Sequence, residues 1–210
     1  MGGFASPLAL MLGMLTRSRG CHTVILYGSR VRGDADPDSD VDVFAVGRDI
    51  VDGPLFRSEG GYSFDIWVAD EKSVEADLEG HLKIEDGRVL VQRAGYGDEL
   101  LRRVKARVAE GPLPLTTEEI AQRIHWLERM VARAGRGDDE GRYRLLAVAS
   151  ELPLVRFELA GRYWLGTKRS LKVLSEFDPG FLELYRRVLD SPSIAAIEAC
   201  VRYLARATPG

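Results

Sequence analysis

Between Asp34 and Asp42 an aspartate stands at every second position, so five carboxylates crowd into one short stretch of chain. Mutual repulsion makes such crowding unfavourable without a cation. The last two belong to Asp40-Val-Asp-Val-Phe-Ala-Val46, which alternates polar and apolar residues, the period of a strand with one wet face. Asp40 and Asp42 then leave the same face, with Cα atoms about 7 Å apart. Just upstream, Thr23-Val-Ile-Leu-Tyr27 is β-branched and apolar and stops at Gly28-Ser29. This reads as a buried strand ending in a tight turn. Gly33, Pro37 and the aspartates mark Arg30 to Ser39 as the loop between the two strands.

Hard carboxylate oxygens converging from one face suit Mg²⁺, with waters or phosphate oxygens completing its shell. A third strand is expected over Tyr62–Val68, where Phe64, Ile66 and Val68 share one face and Asp65 lies on the other with Ser63 and Trp67. Asp65 could supply a third oxygen and allow two metals roughly 4 Å apart. Gly28 lets the backbone approach a ligand closely, and Ser29 adds a hydroxyl and an amide toward phosphate. Arg30 and Arg32 would offset the charge of a triphosphate. A calcium loop does not fit. Starting it at Asp36 puts Val41 where an EF-hand needs Gly and Gly47 where it needs Glu, and starting at Asp34 puts Ser39 and Ala45 there. Neither GxxxxGK[ST] nor a strand followed by GxGxxG is present.

Around this segment the chain is ordinary. Its 210 residues are 45% hydrophobic and 29% charged, with a net charge of −3. That balance argues against a nonspecific nucleic-acid coat but not against a local basic groove. Cys21 and Cys200 lie far apart without ligand spacing, as free thiols in a reducing cytoplasm do. The apolar start, Phe4 to Leu15, is too short to span a bilayer and lacks the flanks of an export signal, so a short helix packed on the domain is expected. Helices are expected over 72–82 and 97–109. The segment Glu110-Gly-Pro-Leu-Pro114 reads as a linker. Thr116-Thr-Glu-Glu119 is a capping box, followed by Ile120, Ile124, Leu127 and Val131 at helical spacing. Further helices are expected over 140–162, with Pro153 inside, and over 167–176, 179–189 and 192–206, the last with Ser191-Pro192 as its start. The class is α+β: residues 1–110 a mixed sheet with flanking helices, residues 115–210 a helical bundle.

The segment from Leu26 to Val43 resembles the signature of the nucleotidyltransferase fold, the DNA polymerase β superfamily, in its small bacterial form. That signature is Gly-Ser, about ten residues, then Asp-x-Asp on a strand. Here Gly28-Ser29 is followed by ten residues and by Asp40-Val41-Asp42, with Ser39 directly before the pair and Gly33 in the intervening loop. The resemblance covers residues 20 to 110. It implies a nucleoside triphosphate, ATP by default, bound through two Mg²⁺ (or Mn²⁺), with a nucleoside monophosphate passed to an acceptor hydroxyl and pyrophosphate released. Catalytic and metal-holding roles then fall to Asp40, Asp42 and Asp65, and nucleotide binding to Gly28, Ser29, Arg30, Arg32 and Ser39.

In such proteins a helical domain after the catalytic one often shapes the acceptor site, as in aminoglycoside nucleotidyltransferases or in pairings with a HEPN domain. HEPN ribonucleases carry Arg-x4-His-x-Tyr. Here Arg156 and Tyr163 stand at those offsets, but Gly161 replaces the His. Tyr163 is at the position of the tyrosine that toxin–antitoxin-type nucleotidyltransferases adenylylate, which makes it a candidate self-acceptor. Structural roles are the blander reading of Arg156 and Tyr163, and core or interface roles that of Trp126 and Trp164. Glu151 and Glu158 share a helix face and are candidate bases or ion-paired residues. Lys168-Arg169 begins a helix, and His22, His81 and His125 form no ligand set. The acceptor stays open among a small molecule such as an aminoglycoside, a protein side chain and a nucleic-acid 3′ end. The acidic balance weighs against the last. A regulatory toxin–antitoxin-type module is the rival reading, and a nucleotide sensor stands behind it. No membrane partner is expected, and a homo-oligomer is left open.

Overall fold

The structure, a computed structural model, describes residues 5–206. The chain divides into two compact units, Met1–Glu110 and Gly111–Gly210. In the first, α1 (Ala5–Gly13) runs into a π-helical turn (Met14–Ser18), followed by β1 (Cys21–Tyr27), α2 (Ser29–Arg32), β2 (Val41–Gly47), β3 (Gly53–Glu59) and β4 (Tyr62–Asp70). Then come α3 (Glu71–Ala76), a 3-10 helix (Glu79–Ile84), β5 (Arg88–Val91) and α4 (Tyr96–Glu110). The five strands form one mixed sheet in the order β3-β4-β2-β1-β5. Only the β2–β4 pair is parallel.

Alternation along these strands sorts the side chains into two faces. Val24, Leu26, Val41, Val43, Phe64 and Ile66 point to one, where Met11 and Leu15 join them in a buried core. That is the packing the apolar start of the chain calls for, although Phe4 lies outside the described residues. On the other face, Ile25 and Phe44 are buried, as are Leu82, Ile84, Leu100 and Val104 of the 3-10 helix and α4, which both pack on β1. The carboxylates lie further along this second face.

Local differences from the sequence reading have local causes. The helix expected over 72–82 is two pieces, because Asp77 turns its carboxylate onto the Gly80 N–H at 3.0 Å and interrupts the first run. Strand β3 is not assigned by the sequence reading. It is an edge strand, mostly exposed, held to β4 by the two-residue turn Gly60-Gly61, both at positive φ.

The second unit is helical: α5 (Thr117–Ala134), α6 (Asp139–Leu159), α7 (Thr167–Phe177), α8 (Pro179–Asp190) and α9 (Ile194–Arg206). Thr116 and Glu119 close the expected capping box on α5. Helix α6 continues through Pro153 but ends at Leu159, short of the expected 162, with Gly161 just beyond it at φ 61°. The last helix starts at Ile194 rather than Pro192, and Ser193 accepts the Ala196 N–H at 3.3 Å. Leu127, Leu152, Leu174, Phe181 and Ile197 meet in one core. No helix among the described residues is long and apolar enough to cross a membrane. Both cysteines are free and buried, and burial pushes the Cys200 thiol up to about 11.

At the edge of this core Asp178 accepts from the Phe181 N–H at 3.0 Å, the Tyr203 hydroxyl at 2.7 Å and Arg156 Nε at 2.5 Å. Burial opposes its ionisation, but these three donors outweigh it and hold the carboxyl below its ordinary range. The stability this contributes is present above the ordinary carboxylate pKa and lost as pH falls through the depressed folded value. Asp178→Asn, which leaves Arg156 without its counter-charge, is expected to cost about 2–3 kcal/mol at neutral pH. Urea denaturation across pH should also show a shallower acid loss in the variant than in the parent.

Candidate active site

The site begins where β1 ends. Gly28 has φ 78° and ψ −158°, a conformation that residues with a Cβ avoid. Space excludes a side chain as well, since an added Cβ would stand 2.1 Å from Asp42 Oδ2. The backbone therefore passes directly against the Asp42 carboxylate. After Gly28 the chain makes the single helical turn α2, closed at Gly33, whose N–H reaches the Ser29 carbonyl at 2.9 Å.

Two arginines hold the loop that follows. Arg30 donates to the Ser39 carbonyl and, at 3.3 Å, to that of Asp40, with its guanidinium 5.2 Å from the centre of the Tyr62 ring. Arg32 donates to Asp86 at 2.5 Å and to Asp34 at 3.3 Å. Ser39 accepts the Asp36 N–H at 2.8 Å and so closes a turn inside the loop. Sequence reasoning missed Asp86, which also accepts the Gly28 N–H at 3.2 Å. It thereby fixes both ends of the Gly28–Arg32 turn.

Asp42 lies on β2 between two neighbours. Its register partner on β1 is Tyr27, and on the parallel strand β4 it is Asp65. The structure thus brings Asp65 beside Asp42, while Asp40 sits exposed one residue before β2. Asp40 and Asp65 also line a groove with Phe56, Ser58 and Ser63. Burial, then the charge of Asp65, pushes the Asp42 carboxyl up to about 6, with Asp40 adding and Lys83 and Arg32 pulling the other way. Burial, then Asp42, Asp65 and Asp86, keeps the Tyr27 phenol protonated well above its ordinary value. Lys83, a second residue the sequence reading missed, holds its ammonium 5.5 Å from the Tyr27 ring centre and 5.7 Å from that of Trp67.

The donor set suits a hard divalent cation: three carboxylates, one of them made reluctant to ionise by burial and by its neighbours. Among the described residues, however, no group of three or more His, Cys, Asp or Glu side chains is close enough to hold a metal. A cation here would need oxygens from a ligand or from water as well. Mg²⁺ commonly binds in that way, through one or two carboxylates and substrate phosphates.

The other sequence candidates lie elsewhere. His22 pairs with Glu71 at 3.2 Å, His81 packs on Phe44, and His125 is 4.0 Å from Glu128. Glu158 pairs with Arg123 at 2.9 Å. Arg156 is tied to Asp178, and Trp164 packs edge-on against Phe157. The Tyr163 oxygen is buried. Trp126, read as a core or interface residue, is 40% exposed.

Residues 20–109 match the family model of the nucleotidyltransferase domain. No curated protein matches the chain. Among solved structures, the chain is similar to a nucleotidyltransferase-like protein from Exiguobacterium sibiricum. The match has 12% sequence identity and a TM-score of 0.49, and it covers 94% of this chain and 74% of that one.

Proposed function

We propose that the first unit is a nucleotidyl-transfer centre, which moves a nucleoside monophosphate, by default AMP from ATP, to an acceptor hydroxyl. The observation that carries this reading is the in-register placement of Asp42 and Asp65 on parallel strands, against a glycine turn too tight for a Cβ. The family match over residues 20–109 supports it, since nucleotidyltransferase domains act on nucleoside triphosphates with a divalent metal. In the proposed reaction the acceptor oxygen attacks the α-phosphorus in line. The new O–P bond forms as the bond to the bridging oxygen breaks, and pyrophosphate leaves with the electron pair. Asp65 accepts the hydroxyl proton. Asp40, Asp42 and Asp65 would hold Mg²⁺ or Mn²⁺, which when bound offsets charge on the phosphoryl oxygens and the leaving group. Gly28 and Ser29 let the backbone meet the phosphates, while Arg30, Arg32 and Ser39 shape the loop beside them. Most of the rate would come from positioning and from fixed charges.

The test is direct. The protein is incubated with each α-labelled nucleoside triphosphate, Mg²⁺ and panels of small-molecule, protein and oligonucleotide acceptors, and the label is followed. Label on one acceptor class, lost on adding a chelator, is the expected result. Label retained in the triphosphate under every condition would end the proposal.

A further inference from the structure

A triphosphate brings about four negative charges to a place already crowded by Asp40, Asp42 and Asp65. Divalent cations would be shared between that charge and the carboxylates, so a protein cation within reach would hold the triphosphate more firmly. Arg30 and Arg32 are the sequence candidates, and both already donate to the protein. Arg30 holds the carbonyls of Ser39 and Asp40, and Arg32 holds Asp86 and Asp34.

Lys83 is placed differently. Its ammonium lies 5.5 Å from the ring centre of Tyr27, the register partner of Asp42, and 5.7 Å from that of Trp67, two residues beyond Asp65. Its charge acts on Asp42. Among the described residues no carboxylate pairs with it. Aromatic faces attract an ammonium through the ring quadrupole. They therefore orient Lys83 while leaving its three N–H donors for another acceptor.

Lys83 and Trp67 also share a cavity of about 460 Å³ with Asp52, Ser73, Asp77 and His81, a size in the range of small-molecule sites. Burial disfavours the charged form of His81, so Lys83 is the main cation of this cavity. The carboxylates of Asp52 and Asp77 repel phosphate, which confines the anionic end of a nucleotide to the Lys83 corner beside Asp42. They remain suited to accept from ribose hydroxyls or a base amine.

We infer that Lys83 is the triphosphate-binding cation of this centre, and that the cavity it shares with Trp67 seats the donor nucleotide rather than the acceptor. The inference rests on the nucleotidyl-transfer reading and assigns a direction to it. The donor enters on the Lys83 side of Asp65, and the acceptor comes from the groove that Asp65 lines with Phe56, Ser58 and Ser63.

Titration calorimetry on the full chain with Mg²⁺ tests this. The probes are the four nucleoside triphosphates and, for the one that binds tightest, its monophosphate. Lys83→Met should weaken triphosphate binding at least tenfold and change monophosphate binding less than threefold, and Lys83→Arg should restore most of the difference. Lys83→Gln serves if circular dichroism shows the methionine variant misfolded. Equal weakening of both ligands would make Lys83 a structural residue and overturn the inference, as would triphosphate binding unchanged by the substitution. If the parent protein binds no triphosphate at all, the nucleotidyl-transfer reading itself falls, and this inference with it.

Discussion

Replacing Asp40 and Asp42 together by asparagine is expected to bring label transfer down to background and to weaken Mg²⁺–triphosphate binding sharply, while the protein stays folded. The two changes keep the shape of the side chains and remove their charge, so a loss of activity reports chemistry rather than packing. The folded state even has something to gain. Asp42 is half-buried with its carboxyl pushed up to about 6, so above that pH it carries a charge the folded state disfavours. A raised carboxylate pKa makes folding less favourable as pH rises through the folded value. Neutralising it should remove a penalty on the order of 2 kcal/mol at neutral pH. Thermal melts in the absence of metal should therefore show the double variant at least as stable as the parent. Transfer at the parental rate would show that the site has been misassigned.

Asp65→Ala should lower turnover by about a hundredfold or more, the scale expected when a metal ligand or general base is lost. Structure and sequence agree on its face, and the structure adds its neighbour: Asp65 is in register with Asp42 across the parallel β2–β4 pair. Its removal has a second signature. Because Asp65 is the largest charged contributor to the raised pKa of Asp42, the Asp42 carboxyl should ionise at lower pH in the variant. A carboxyl-resolved NMR titration can follow that shift without any acceptor. Parental turnover together with an unmoved Asp42 titration would remove Asp65 from the site.

How far the sequence carried varied with the range of the interaction. Gly28, Asp40 and Asp42 stood out as candidates because short spacing and strand alternation single them out. Asp65 was legible only as an isolated carboxylate on a wet face, since nothing local says which strand it will join. Asp86 and Lys83 were missed for the same reason. Asp86 acts on Gly28 across 58 residues, and Lys83 reaches the site only because the 3-10 helix folds back over the sheet. The signal for β3 was present but weak: Gly60-Gly61 is a hairpin turn, but the exposed strand before it lacks an apolar face. In the helical half, caps and apolar spacing located the helices. The ion pair of Arg156 with Asp178, which gives that arginine a structural role, depends on tertiary packing.

The parallel pairing of β2 with β4 also bears on how the first unit assembles. The β3–β4 hairpin closes through a two-residue turn, so its contacts are local, whereas β4 must find β2 across the whole hairpin. Non-local pairing of that kind is the slow part of forming a sheet. Here it must also set Asp65 beside Asp42, so like charges meet at the moment the strands dock. The barrier to assembly and the proposed seat of a divalent cation would then coincide, and an ion that offsets one charge cluster would ease the other. Ions in the refolding medium would thus act on this protein before any nucleotide arrives, by speeding the docking of a single strand.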